Sequence, residues 1–393
     1  MLINPTMSSS FGTDYGDKLS FIAEWFDFDS AYQKRLLLNY YPVDSTVELY
    51  DIDLKRPFLK RSFYECISRD DVFVGNKVRI YDRQLKIVDY ADCRTKTIIG
   101  NTRQHTFGVI KVSVIDKIGE IFNQIQDRHF EIINVRMCRL KQAECLELYD
   151  HLRGSAFLPF VVDHMTSGPV VALQLVGDNA IERWKANVGP TDPLEARQTA
   201  PDTLRAIYGL EKASNAFHAA DNCDAVTKKL NLFFPSDPGL RPPETTLQLQ
   251  NSTCCVIKPH AISEGKLGYI ISFITDAKFK ITAMQTFYFS NANAEEFLEV
   301  YKGVVSDFHA LLMSFLDGPC IGLEISGKSE DVGDVHGEFR KFCGPNDPEV
   351  ARQIRPNTLR ARFGLDKYKN AVHCTDLKED TELELEYLFK ILS

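Results

Sequence analysis

The sequence predicts an α+β protein in which a small β-rich domain, barrel or sandwich in type, precedes two α/β sandwiches. Three observations carry this expectation. Residues 21–94 hold short aromatic and β-branched stretches separated by turn residues. From about residue 101, strand-length apolar runs alternate with helical ones. The last third then repeats the order of the middle third, in register.

In the first region the strand candidates are FIAEWFDF, RLLLNYYPVD, TVELYDI, FVGNKVRIYD and LKIVDYAD, broken at Pro42-Val-Asp44, Arg56-Pro57 and Gly75-Asn76. Between residues 11 and 99 there are 14 Lys+Arg against 15 Asp+Glu, so the module is close to neutral. Its one basic cluster, Lys55, Arg56, Lys60 and Arg61, fits a solvated edge better than an anion site. Residues 1–10 form a polar tail, expected to be mobile unless a partner holds it.

The second region, 101–235, opens with HTFGVIKVSVI and a helix over KIGEIFNQIQD. FEIINVRMCRL follows as a strand, then helices near 142–151 and 159–165 and the strand VVALQLVG. The third region, 251–393, gives STCCVIKPHAI, KLGYIISFITD, FKITAMQTFYF, EEFLEVYKG, HALLMSFL and CIGLEI in the same order. Between them, residues 236–250 are rich in Pro, Ser and Thr and are expected to be a linker of limited stiffness.

Composition narrows the function. The chain has 393 residues, 44% hydrophobic and 25% charged, as in soluble globular proteins. A net charge of −8 argues against duplex nucleic acid as the main ligand. No run of 18 apolar residues exists to span a membrane, and the first twenty residues lack the charge and apolar core of a secretory signal. The ten cysteines show no C-x-x-C spacing, which fits reduced thiols of a cytosolic compartment and no metal site.

The repeat is sharpest near its end: PDTLRAIYGLEKASNAFHAAD from Pro201 and PNTLRARFGLDKYKNAVHCTD from Pro356. Arg205 with Arg360, Asn215 with Asn370 and His218 with His373 are each 155 apart (360−205, 370−215, 373−218). Lys111 and Lys258 are 147 apart, so eight residues (155−147) are inserted in the second copy, by default in loops. Each copy thus offers a lysine at a strand end, a tyrosine, an arginine and a histidine: Lys111, Tyr149, Arg205 and His218, then Lys258, Tyr301, Arg360 and His373. Cations that grip phosphate oxygens beside a neutral imidazole suit phosphoryl transfer. The G-x-x-x-x-G-K-[ST] phosphate loop is missing, so side chains would hold any nucleotide.

Two resemblances sharpen this. Arg35-x-x-x-Leu-Asn-Tyr-Tyr41, Asp44-Ser-Thr-Val-Glu48, Arg56-Pro-Phe-Leu-Lys-Arg61 and Asp71-Val-Phe-Val-Gly75 resemble the DM-ten domain, a β-rich (PH-like or barrel) module. That resemblance implies a ciliary or axonemal, microtubule-associated setting, with residues 11–99 as an adaptor. The Asn-x-x-His and Ile-Lys-Pro motifs make both repeats resemble nucleoside diphosphate kinase domains. The whole chain resembles the branch of that family with one DM-ten domain ahead of two tandem kinase domains.

The kinase resemblance implies ferredoxin-like sandwiches with four-stranded antiparallel sheets and transfer of a γ-phosphate through a phosphohistidine, with Mg²⁺ accompanying ATP or another NTP. It implies that Lys258, Tyr301, Arg340, Arg360 and Asn370 contact the nucleotide, that Phe308 stacks on its base, that His373 is the nucleophile and that Glu384 orients it. In the first copy it implies the same of Lys111, Tyr149, Phe157, Thr191, Arg205, Asn215 and His218. Departures are His260, Asn346 and Cys374 in the second copy, and Val112-Ser113, Lys185, Ala219 and Lys229 in the first. Lys229 stands where the orienting carboxylate is expected, so His218 is expected to be weak or silent.

The implied partners are tubulin in axonemal doublets, other microtubule inner proteins and the γ-tubulin complex, in cytoplasm, cilium, flagellum, centrosome or spindle. A monomer with an internal domain pair is expected. An active enzyme and an architectural protein both stand as readings, as does nucleotide binding without turnover.

Overall fold

The computed structural model describes residues 18–392, apart from 28–29, 31, 66, 70, 101–102, 236–238 and 328–332. It divides into two compact units, residues 1–101 and 102–393.

In the first unit six strands form one antiparallel sheet: β1 (Leu19–Asp27), β2 (Tyr32–Tyr41), β3 (Thr46–Asp51), β4 (Arg56–Phe63), β5 (Lys77–Ile80) and β6 (Arg83–Tyr90), in the order β4-β3-β2-β1-β6-β5. Alternate residues turn inward, as Val47, Leu49 and Asp51 do in β3, with period two. Helix α1 (Cys93–Ile99) closes the unit, capped by Asp92, whose side chain accepts the Thr95 N–H. Of the basic cluster, Arg56, Lys60 and Arg61 lie on edge strand β4 and Lys55 just before it, all exposed, and Arg61 pairs with Asp44 at 2.7 Å and stacks on Tyr41.

The second unit carries the repeat. Its first copy runs β7 (Gln104–Ile110), α2 (Ile118–Asp127), β8 (Glu131–Arg139), α3 (Gln142–Leu148), α4 (Leu158–Thr166), β9 (Pro169–Gly177), α5 (Ala180–Val188), α6 (Pro193–Thr199), α7 (Leu204–Tyr208), β10 (Phe217–Ala219) and α8 (Cys223–Phe233). The second runs β11 (Ser252–Ile257), α9 (Pro259–Ser263), α10 (Leu267–Asp276), β12 (Lys280–Phe287), α11 (Asn291–Phe297), α12 (Phe308–Leu316), β13 (Cys320–Ser326), α13 (Val335–Cys343), α14 (Pro348–Ile354), α15 (Leu359–Phe363), β14 (Val372–Cys374) and α16 (Thr381–Glu386). Each copy is an antiparallel four-stranded sheet with helices, a ferredoxin-like sandwich.

The two sheets are continuous, in the order β10-β7-β9-β8-β12-β13-β11-β14, through the pair Gln285 with Arg136. Helices α2 and α10 pack against each other above that seam, so Ile121, Phe122 and Ile125 share one core with Ile270, Ile271 and Ile274. Approach is close because both helices offer glycine: a Cβ on Gly119 would lie 2.5 Å from Ser272 N, and one on Gly268 2.6 Å from Asn123 N. The internal domain pair is therefore a built interface.

The eight inserted residues fall in connections, as expected. The offset between copies is 149 at α2/α10 (267−118) and α3/α11 (291−142), 150 at α4/α12 (308−158) and 155 from α5/α13 onward (335−180). The segment joining the copies is tied down along its described length. Arg139 N donates to Glu244 O, Arg136 Nε donates to Pro243 O, and the Glu324 carboxylate accepts Gln248 N and Leu249 N. Sequence reasoning expected a linker there because Pro and Thr lack a periodic pattern; backbone pairing to the neighbouring copies needs none.

Candidate active sites

Both histidines lie on the short strands β10 and β14, three residues each, which no periodicity could announce. Each strand pairs with the strand that ends at the lysine: His218 faces Val109 across β7, and His373 faces Val256 across β11. The Ala of Asn-Ala-x-His explains the rest of the motif. Ala216 and Ala371 sit at φ 66° and 72°, a left-handed conformation costly for a residue with a Cβ. That twist aims each alanine carbonyl at the lysine backbone, accepting Lys111 N at 2.8 Å and Lys258 N at 2.9 Å. The lysine turn and the histidine strand are thereby locked together.

The preceding asparagine is equally shared. Asn215 Nδ2 donates to Thr191 O at 2.8 Å, and Asn370 Nδ2 to Asn346 O at 3.1 Å. In both, the buried Oδ1 has no partner among the described residues and is available to a ligand donor. The arginines brace the walls: Arg360 donates to Val372 O and Gly344 O, and Arg205 to Phe217 O and Gly189 O. Burial pulls both Lys111 and Lys258 down to about 7, reinforced by the arginine beside each.

In the second copy His373 Nε2 lies 3.0 Å from Glu384 Oε2, which also accepts the Thr375 hydroxyl at 2.7 Å. Lys258 Nζ donates to Tyr368 O at 2.6 Å and Ser314 Oγ at 3.2 Å. The cavity of about 350 Å³ is lined by Lys258, Tyr301, Arg360, Asn370 and His373 among others. Phe308 and Arg340 are not on its wall. Phe308 opens α12 and packs half-buried on the core, while Arg340 pairs with Asp376 at 2.9 Å. In the helix frame Phe157 corresponds to Asp307 (157+150), because the connection into α12 is one residue longer.

The tyrosines are not equivalent either. Tyr149 caps α3 eight residues past Lys141, and Leu298 holds that place after α11, eight past Ser290. Tyr301 stands three residues further on, reaching back with its hydroxyl to Asp376 at 2.8 Å. Both rings still meet their histidine edge-on, at 4.8 Å for Tyr149 and 6.2 Å for Tyr301. Cys374 is on the cavity wall, with its sulfur 3.6 Å from Arg360 Nη2 and hydrogen-bonded by Cys343.

The first copy has the larger cavity, about 1020 Å³, and all seven expected residues line it: Lys111, Tyr149, Phe157, Thr191, Arg205, Asn215 and His218. Its supporting groups differ. Lys229 Nζ is 2.7 Å from His218 Nε2, and Lys185 is paired with Asp221 at 2.8 Å. Sequence reasoning missed His151, 6.2 Å from the His218 ring, and Lys212, 5.6 Å above Phe157. In the second copy it missed Thr375, Ser314 and Tyr368. Ser314 lies in α12 and the others in turns and short connections, and the spacing of the repeat carries no signal for them. No helix among the described residues is long and apolar enough to cross a membrane.

The nucleoside diphosphate kinase family model matches twice, over residues 104–238 and 251–392. The nucleoside diphosphate kinase homolog 7 proteins of Rattus norvegicus and Mus musculus are 42% and 41% identical over 391 residues, covering 100% of this chain and 97% of theirs. The crystal structure of the Aquifex aeolicus nucleoside diphosphate kinase matches 33% of this chain and 92% of its own at 34% identity, with a TM-score of 0.32.

Proposed function

The chain belongs to the nucleoside diphosphate kinase family, and on that premise we propose that it is a microtubule-associated member whose second kinase domain transfers phosphate through His373. The pairing of His373 Nε2 with Glu384 at 3.0 Å carries the catalytic half. A carboxylate can only accept, so the ring proton stays on Nε2 and Nδ1 keeps its lone pair. That nitrogen attacks the γ-phosphorus of a nucleoside triphosphate as the bond to the β–γ bridging oxygen breaks, and the diphosphate leaves. A second diphosphate then takes the phosphoryl group by the reverse step. Lys258 and Arg360 face the phosphate oxygens from the cavity wall, and Asn370 Oδ1 accepts a ligand hydroxyl.

Among the described residues no His, Cys, Asp or Glu cluster is placed to hold a metal ion. Mg²⁺ would arrive with the triphosphate and neutralise its oxygens. Incubation with ATP and GDP should give GTP, and His373→Ala should abolish it while His218→Ala leaves most of it. Equal loss in both variants would overturn the assignment to one site.

The architectural half rests on the DM-ten resemblance of residues 21–94. Tubulin in axonemal doublets, alongside other microtubule inner proteins, is the partner that reading names; a γ-tubulin complex or nucleotide metabolism is the second reading. Cryo-imaging of purified axonemes discriminates them, since absence of the chain from doublets would leave only the second.

A further inference from the structure

Two imidazoles of one chain meet opposite partners through the same ring nitrogen. His373 Nε2 faces the Glu384 carboxylate, which only accepts. His218 Nε2 faces Lys229 Nζ at 2.7 Å, eleven residues on in each case (384−373, 229−218). An ammonium only donates.

We propose that Lys229 is a positioning residue that holds His218 in the Nδ1–H tautomer, so that the first site presents a hydrogen-bond donor to phosphate where the second presents a nucleophile. The proposal rests on the reading of His373 as a nucleophile through Nδ1. Three observations support it. The imidazole stays neutral: burial, then Lys229, Lys111, Arg205 and His151, hold His218 well below its ordinary value. Lys229 stays charged near neutrality, since burial brings it down only to about 8 while Asp221 opposes the fall. A neutral ring that accepts at Nε2 carries its one proton on Nδ1, and a protonated ring nitrogen has no lone pair with which to attack phosphorus.

The rest of the site is still built to hold a phosphorylated ligand. Lys111, Arg205, Lys185 and Lys212 line the cavity, and Asn215 Oδ1 is a buried acceptor without a partner among the described residues. The site that this geometry assigns takes a nucleoside triphosphate through Nδ1–H and the cations and returns it unchanged. It is a receptor, not a transferase.

The test uses the full chain labelled with ¹⁵N-histidine, in which two-bond ¹⁵N–¹H correlations report the tautomer of each ring. At pH 7 His218 should show Nδ1–H and His373 Nε2–H, and ATP with Mg²⁺ should shift the His218 signals. In a His373→Ala background, Lys229→Glu should accumulate acid-labile phosphate on His218 and Lys229 should not. Lys229→Gln, whose amide oxygen also accepts, serves if the charged variant misfolds, and should restore Nε2–H. An Nε2–H tautomer at His218 with Lys229 present, phosphohistidine at His218 in that same chain, or His218 signals unmoved by ATP would each overturn the proposal. Phosphate missing from His373 in His218→Ala would instead overturn the reading of the second site and leave the tautomer result standing.

Discussion

The oxygen of Glu384 that faces His373 at 3.0 Å is the same one that accepts the Thr375 hydroxyl at 2.7 Å. One carboxylate is thus fixed by the residue two places past His373, just beyond the end of β14. Glu384→Ala should reduce phosphohistidine formation by about 10²-fold, the usual scale for a positioned proton acceptor. Glu384→Gln should recover part of it, and Thr375→Val should cost a few-fold, since it frees the acceptor without removing it. Rapid-quench labelling of His218→Ala with ATP measures all three. Equal rates for Ala and Gln would show that the carboxylate acts on folding alone.

Lys258 and Lys111, each pulled down to about 7 by burial and then by Arg360 or Arg205, give binding a proton signature. The folded value lies below the ordinary lysine value of 10.5, so the cost of burying each ammonium is full below pH 7 and is relieved as pH rises from there toward 10.5. A polyphosphate favours the charged form and raises the folded pKa again. Nucleotide binding at pH 8 should therefore take up protons, approaching about one per occupied site. Calorimetry in two buffers of different ionisation enthalpy counts them, and Lys258→Met should remove the second site's share. Proton release would contradict the geometry.

The helix contact between the copies depends on two missing side chains. Gly119→Ala drives a Cβ against Ser272 N, and Gly268→Ala against Asn123 N, both backbone atoms that cannot swing aside. Overpacking of this kind costs about 1–3 kcal/mol. Each variant should lower the thermal midpoint by several degrees, and the pair should be less than additive, because one separation of α2 from α10 relieves both. Unchanged melting would mean that the helices do not meet in solution.

Much of this architecture was legible in the residues, and the illegible part has a physical cause. The α2 and α10 helices show apolar spacing, and the β9 strand is an apolar run of the right length. The Lys229 substitution could be read because an eleven-residue spacing survives in a strand-turn-helix without insertion. Tyr301 and Phe308 could not be placed, since residue type in a loop of altered length does not reveal which turn of helix it will join. Nor could Glu324, a fully buried carboxylate that accepts Gln248 N, Leu249 N, Ser252 Oγ and Thr282 Oγ1. Its donors come from three separate segments, and no local pattern announces such a convergence.

Glu324→Ala should therefore expose that convergence. It strands two backbone N–H groups and two hydroxyls, and each unsatisfied buried group costs about 1–3 kcal/mol. The segment through Leu249 should become sensitive to limited proteolysis before the domains unfold. Mass spectrometry of the first fragments locates the cut, and cleavage elsewhere would count against Glu324 as the anchor of this segment.

Cys374 should behave unlike its neighbours. Cys254, Cys255, Cys320 and Cys343 are all buried with thiols pushed up by desolvation. Cys374 is held down to about 6, by the hydrogen bond from Cys343 and then by the Arg360 guanidinium. Of these five it alone lines the cavity beside His373. A thiolate at pH 7 on this cavity wall should alkylate with iodoacetamide ahead of the other buried cysteines. The rate should rise with pH through an inflection near 6, and ATP should slow it by occupying the cavity. Peptide mapping of a time course reads site and rate together. An inflection at the ordinary thiol value would show that neither Cys343 nor Arg360 stabilises the thiolate, and protection by ATP would then reflect access alone.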